Sequence, residues 1–267
     1  MTWVIGATFP LGGYGLLVSD VQVTLQNGTR LDVIRKIHDV GPVLVMGFAG
    51  SVRIGFEMVE SLRSALAVPQ DEEEGAFIPV DVAEAWAPVA AHVFAHAAAE
   101  ERALGCHLLL VGVHPTEDVI PGRARAYVVR MASPSFRPGF APQRMFSVLS
   151  IGSGAQVREY RGFTRELLGR PNQGVLQAAI GPFERWGQTV AQMLGMGIGL
   201  HPAPGVSPHL HFAQVRRWES HLFANDRRTF QPEGPPVEFL MPAVASTYPE
   251  FCEMLAERGI AGARARC

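Results

Sequence analysis

Short apolar runs, punctuated by glycine, fill the first fifty residues. Thr2 to Thr8 and Leu16 to Val23 read as two β-runs joined by the glycine-rich Gly12-Gly13-Tyr14-Gly15, a hairpin signal. Leu31 to Ile37 and Val43 to Phe48 predict two more strands, separated by Asp39-Val40-Gly41-Pro42. Beyond Gly50 the period changes. Ile54, Met58 and Leu62 recur every fourth residue, which predicts a helix through Ala65 with Ser51 as its N-cap. The acidic stretch from Gln70 to Gly75 reads as a solvated loop. Asp81 is placed to cap a second helix, whose Ala-rich stretch reaches Leu104 and which Pro88 bends or restarts.

The strand pattern returns at His107 to Val113, Arg125 to Met131 and Phe146 to Ile151. Ser153 to Arg161 opens another helical region. Val175 to Leu194 predicts a stronger helix, broken by the glycine-rich stretch Gly195 to Gly199 and by Pro202 and Pro204. Leu210 to Val215 reads as a strand, Arg228 to Gln231 and Val237 to Leu240 as short ones. Pro249 starts a last helix to about Glu257. Two strand blocks, each followed by a pair of helices, predict an α+β chain with two sheets face to face. Pattern alone leaves other α+β layouts open.

Composition narrows the class. Hydrophobic residues make up 48% of the 267, enough for a sizeable core. Charged residues are only 18%, below the usual ~25%, which suits a chain whose surface is partly hidden in an assembly. A net charge of −2 gives no reason to expect nucleic acid or an anionic membrane as partner. No apolar run approaches the ~18 residues of a membrane span. The N-terminal apolar stretch lacks a basic segment and is interrupted by Pro10, Gly12, Gly13 and Gly15, so it reads as strand rather than signal peptide. Cys106, Cys252 and Cys267 show neither a disulfide nor a metal pattern, consistent with a reducing cytoplasm. His209 and His211 share a strand face without a third ligand, and Cys106 beside His107 lacks a paired base. No metal and no cofactor are expected.

The chemistry concentrates at the start of the chain. A threonine that becomes the terminus on removal of Met1 carries a hydroxyl nucleophile and a free α-amine in one residue. An α-amine has a reference pKa of about 7.7–8.0, placed to accept a proton at neutral pH. Ile34 and Ile37 argue for a half-buried strand around Lys36, and an inward lysine needs a carboxylate partner. Asp20 can supply it. Ala49-Gly50 reads as a tight strand-to-helix turn.

Thr2, Asp20, Lys36 and Ala49-Gly50 together resemble the β-type subunits of the proteasome superfamily, N-terminal-nucleophile hydrolases, and most of all their divergent bacterial members. The intervals match: Asp20 to Lys36 is sixteen residues and Lys36 to Gly50 fourteen, while Thr2 to Asp20 is about two longer, within a wider glycine turn. Roughly a fifth of the chain carries this signal. The resemblance implies a four-layer α/β/β/α sandwich with Thr2 in the cleft between the sheets. It implies a domain over residues 2–217 and a C-terminal extension, 218–267, packed on it. It assigns Thr2 as nucleophile with its own amine as base, Lys36 as the charge that stabilises the alkoxide, Asp20 as the lysine's partner and Gly50 as oxyanion donor. Ser153, in Gly152-Ser153-Gly154, falls at the family's second-half serine. The aspartate that follows in the family has no counterpart around 200–207. Ser207 fills a serine place there, and His201 is a weaker candidate for the acid's role. Val23, Ile34, His38, Phe48 and Val52 align with the primary specificity pocket, which Phe48 is large enough to fill. Thr24 and Gly50 would pair with an extended peptide by strand addition. The implied protein is a cytoplasmic threonine peptidase acting on peptide or unfolded protein inside stacked homo-oligomeric rings, with an ATP-dependent unfoldase as a possible partner. The alternatives are a weakly active or inactive ring scaffold, and a small-amide hydrolase of the same nucleophile type.

Overall fold

The computed structural model describes residues 2–67, 77–140, 146–170, 183–224, 228–229, 237–238, 240–260 and 265–267. Strands β1 (Val4–Phe9) and β2 (Tyr14–Asp20) form the expected hairpin, and β3 (Gln22–Leu25) and β4 (Arg30–Asp32) a smaller one. Next come β5 (Ile37–Gly41), β6 (Leu44–Gly50), α1 (Val52–Leu66), α2 (Pro79–His96) and α3 (Ala99–Ala103). The middle of the chain holds β7 (Cys106–Ile120), β8 (Arg123–Ala132), β9 (Gly139–Phe140), β10 (Val148–Ile151) and α4 (Arg158–Thr164). After α5 (Phe183–Leu200) follow β11 (Leu210–Arg216), β12 (Glu219–Ala224), β13 (Arg228–Thr229), β14 (Val237–Glu238), α6 (Tyr248–Glu257) and β15 (Ala265–Arg266).

Two five-stranded antiparallel sheets dominate, in the orders β10-β1-β2-β11-β12 and β5-β6-β7-β8-β9. A third, small sheet runs β15-β3-β4. The fold is therefore mixed α+β, built on antiparallel sheets. Val4, Leu17, Ala213 and Val215 of the first large sheet share one apolar cluster with Val45, Leu109, Val111 and Val128 of the second. A second cluster joins Phe48, Leu108 and Leu110 to Ile54, Met58 and Leu62 of α1 and to Ala83, Trp86 and Ala90 of α2. A third joins Ile5, Leu16 and Phe212 to Tyr160 of α4 and to Trp186, Val190 and Leu194 of α5. The apolar period read from α1 thus lies against the sheet. Its cap is Ser51, whose side chain accepts from the Ile54 N–H at 3.1 Å.

Several expectations need correcting. The run from Leu31 to Ile37 is not one strand. β4 ends at Asp32, the Val33 and Ile34 amides both donate to the Val21 carbonyl, and Arg35 N–H donates to Ala245 O, so the chain crosses between sheets around Lys36. The second helix starts at Pro79, with Ile78 rather than Asp81 at its N-cap position and no side-chain cap, keeps Pro88 inside it and stops at His96. The glycines from Gly195 to Gly199 do not break α5, which continues to Leu200. At Gly197 a Cβ would approach the Phe163 ring to 3.0 Å, so that glycine lets α4 and α5 pack closely. The start expected at Val175 lies outside the described residues. Beyond Arg216, β12 pairs with β11 through an Arg217-Trp218 turn, so Glu219–Ala224 form an edge strand of the first large sheet.

Candidate active site

Thr2 precedes β1, Asp20 closes β2, and Lys36 sits on the crossing that leads into β5. All three are fully buried. The Thr2 hydroxyl donates to Asp20 Oδ1 at 2.8 Å, and Lys36 Nζ donates both to Thr2 Oγ1 and, at 2.9 Å, to Asp20 Oδ1. The ion pair has no solvent on either side chain. Such a pair survives burial only when the remaining carboxylate lone pairs are satisfied. Here the Trp3 N–H donates to Oδ1 at 2.8 Å, and the Gln22 and Ser207 amides donate to Oδ2 at 3.1 and 3.5 Å. The lysine is held where it can stabilise negative charge on Thr2 Oγ1.

Gly152 and Ser153 close over Thr2 from the end of β10. Thr2 N donates to Ser153 Oγ at 3.1 Å, and Thr2 O accepts from Gly154 N–H at 2.9 Å. Gly50 ends β6 with φ +110°, and a Cβ there would lie 2.3 Å from Gly105 O. Only glycine fits, and its N–H donates to Cys267 O at 2.7 Å. A cavity of about 680 Å³ opens next to it, lined among others by Gly50, His107, Arg130, Gly152 and Ser153.

Val23, Ile34, His38, Phe48 and Val52 are also brought together, as buried neighbours. Phe48 stacks on His38 with centroids 5.9 Å apart, and both meet Phe56 edge-on. Burial pushes the His38 imidazole down to about 3, although its bond to Arg35 O favours the charged form. Its ring is therefore neutral and part of an apolar wall.

Asp32 is the residue that sequence reasoning missed. Ser207 Oγ donates to Asp32 Oδ2 at 2.6 Å, and His209 Nδ1 lies 2.8 Å from the same oxygen and 3.0 Å from Ser207 Oγ. Burial alone would raise the Asp32 carboxyl, but hydrogen bonds from His209, Ser207 and Gln22 outweigh it and hold the group below its usual range. An acid does stand beside Ser207, donated by β4 rather than by the segment around 200–207. No local signal could have shown this, since 175 positions separate the two residues. His201 is exposed beside Phe163 and does not join the network. His211 is buried, and burial with nearby Arg35 and Lys36 pushes it down to about 4. Among the described residues no three His, Cys, Asp or Glu side chains cluster to hold a metal, and no helix is long and apolar enough to cross a membrane.

Compared by sequence, the chain matches no family model and no curated protein. Its structure is similar to Anbu (ancestral beta-subunit) from Yersinia bercovieri, with a TM-score of 0.59 and 15% identity over 84% of this chain and 88% of that one. The two chains share a fold. At that identity the likeness extends to the fold alone.

Proposed function

We propose that the chain is a threonine peptidase subunit of the N-terminal-nucleophile type, with the two large sheets and outer helices forming a four-layer α/β/β/α sandwich. The observation that carries this reading is the contact of Thr2 Oγ1 with both Lys36 and Asp20. Once Met1 is removed, the Thr2 amine takes the hydroxyl proton as Oγ1 attacks a peptide carbonyl. Lys36 stabilises the alkoxide and disfavours a second positive charge on the amine. Gly50 N–H receives the oxyanion, a contact worth roughly 10²–10³ in rate where such donors have been removed elsewhere. Asp20 positions Lys36, and Ser153 holds the amine.

The assembly belongs to the same proposal. Low charge content and a proteasome-like fold support homo-oligomeric rings in the cytoplasm that confine peptide or unfolded-protein substrates, with an ATP-dependent unfoldase as possible feeder. The test is mass spectrometry after treatment with a peptide epoxyketone, which needs a hydroxyl and an adjacent free amine to close its ring. An adduct on Thr2 supports the reading; a folded, Met1-free chain that never forms one overturns it.

A second reading, a ring scaffold of little activity, is favoured by Thr2 being wholly buried and by Phe48 filling the aligned pocket. It predicts assembly without adduct. The two readings part on that single experiment.

A further inference from the structure

The groove beside Gly50 is already occupied by the chain itself. β15 pairs antiparallel with β3, with Arg266 opposite Thr24 and Ala265 opposite Leu25. Cys267 then forms a reciprocal pair with Gly50: its N–H donates to Gly50 O at 2.8 Å, and Gly50 N–H donates to Cys267 O at 2.7 Å. The segment therefore lies as an added strand between β3 and the end of β6, using the groups through which strand addition binds a peptide. The Cys267 side chain is 6% exposed and belongs to the apolar cluster that holds Val23, Ile34, Phe48 and Val52. Its Sγ stands 3.6 Å from Gly50 O.

We propose that residues 265–267 are a built-in peptide ligand of this cleft, bound as a substrate would be and holding the Gly50 N–H until they are displaced. The ligand class of the groove follows from its occupant. It takes an extended peptide whose residue at the place of Cys267 carries a small uncharged side chain. A larger or charged group would have to enter an apolar cluster already closed by Phe48. Burial pushes the Cys267 thiol up to about 11, against the pull of the Lys36 charge, so a bound Cys267 is also a poorly reactive one. Occupancy of the groove stands on the strand pairing; its consequence for turnover rests on the proposed role of Thr2.

Three preparations test this: the full chain, a chain lacking residues 261–267, and Cys267→Asp, which keeps the tail but puts a charge in the apolar cluster. The probe is a fluorescein-labelled peptide of residues 261–267, read by anisotropy. Binding at least tenfold tighter to the shortened chain and to C267D than to the full chain supports the proposal. Equal binding to all three overturns it, and so does no binding to any folded preparation. Should the shortened chain not fold, C267D and N-ethylmaleimide mapping of the full chain decide. Exposed Cys252 should react at least tenfold faster than Cys267, and comparable rates overturn the proposal. Peptide turnover should rise at least tenfold on removing the tail. If the peptide binds as expected while neither turnover nor an epoxyketone adduct appears in any preparation, the tail ligand stands and the Thr2 reading fails.

Discussion

Gly152 and Thr2 touch so closely that a Cβ on Gly152 would lie 2.4 Å from Thr2 O and 2.5 Å from Thr2 Cγ2. The glycine also holds φ +83°, a conformation that L side chains rarely adopt. Gly152→Ala must therefore move either the turn or Thr2. We expect a loss of about 1–3 kcal/mol of stability from the backbone term alone. Peptide turnover should fall by more than tenfold, because Ser153 would leave the Thr2 nitrogen. Urea unfolding and steady-state kinetics on the same preparation check both.

Breaking the Lys36–Asp20 pair should be costly for the fold as well as for chemistry. Lys36→Met leaves the Asp20 carboxylate buried with only hydroxyl and amide donors, and losing one partner of a buried pair typically costs about 3–5 kcal/mol. The double variant Asp20→Asn with Lys36→Met should recover part of that stability and none of the turnover. Denaturant midpoints separate the two effects. A single variant as stable as the parent would show that the pair is not buried in solution.

In turnover, Thr2→Ala and Lys36→Ala should each abolish activity, and the double variant should be no slower than either single. Both residues serve one proton transfer, and effects within such a unit do not add. A double variant far slower than both singles would mean that they act independently.

Removal of Met1 should be obligatory. With a residue attached, the Thr2 nitrogen is an amide and no base. Chains that retain Met1 by intact mass should give no turnover through Thr2, and treatment with a methionine aminopeptidase should restore it. Turnover by Met1-bearing chains would rule out the terminal amine as base.

Stability should fall on mild acidification. His38 and His211 are held at about 3 and about 4 when folded, below the reference imidazole value of ~6.5 in the unfolded chain. The unfolded state therefore binds more protons below pH ~6.5, so stability is fully present above that value and is lost as pH falls toward the folded values. Each neutral ring contributes up to about 1.4 kcal/mol per pH unit in that window. Urea midpoints between pH 7.5 and 5.0, above most carboxylate titration, measure it; a flat profile would show that the rings are not buried.

The sequence by itself determined the local elements and their chemistry. The hairpin of β1 and β2 and the capped α1 follow from short-range periodicity and glycine placement, which act within a few residues, while the spacing of Thr2, Asp20, Lys36 and Gly50 was legible through its family resemblance. Lys36 was legible as an inward lysine from its apolar neighbours, although it is a crossing between sheets rather than a strand that buries it. What only the tertiary structure decided are relations across long separations. Asp32, at the end of β4, meets Ser207 and His209 just ahead of β11, and β12, whose half-buried residues show no strong alternation, joins the first sheet by pairing with β11. Gly197 of α5 stays helical where Phe163 of α4 packs against it, which offsets the low intrinsic propensity of glycine. Cys267, read as an unremarkable third cysteine, lies in the cleft because strand addition needs only backbone groups. Backbone pairing leaves no trace in side-chain pattern.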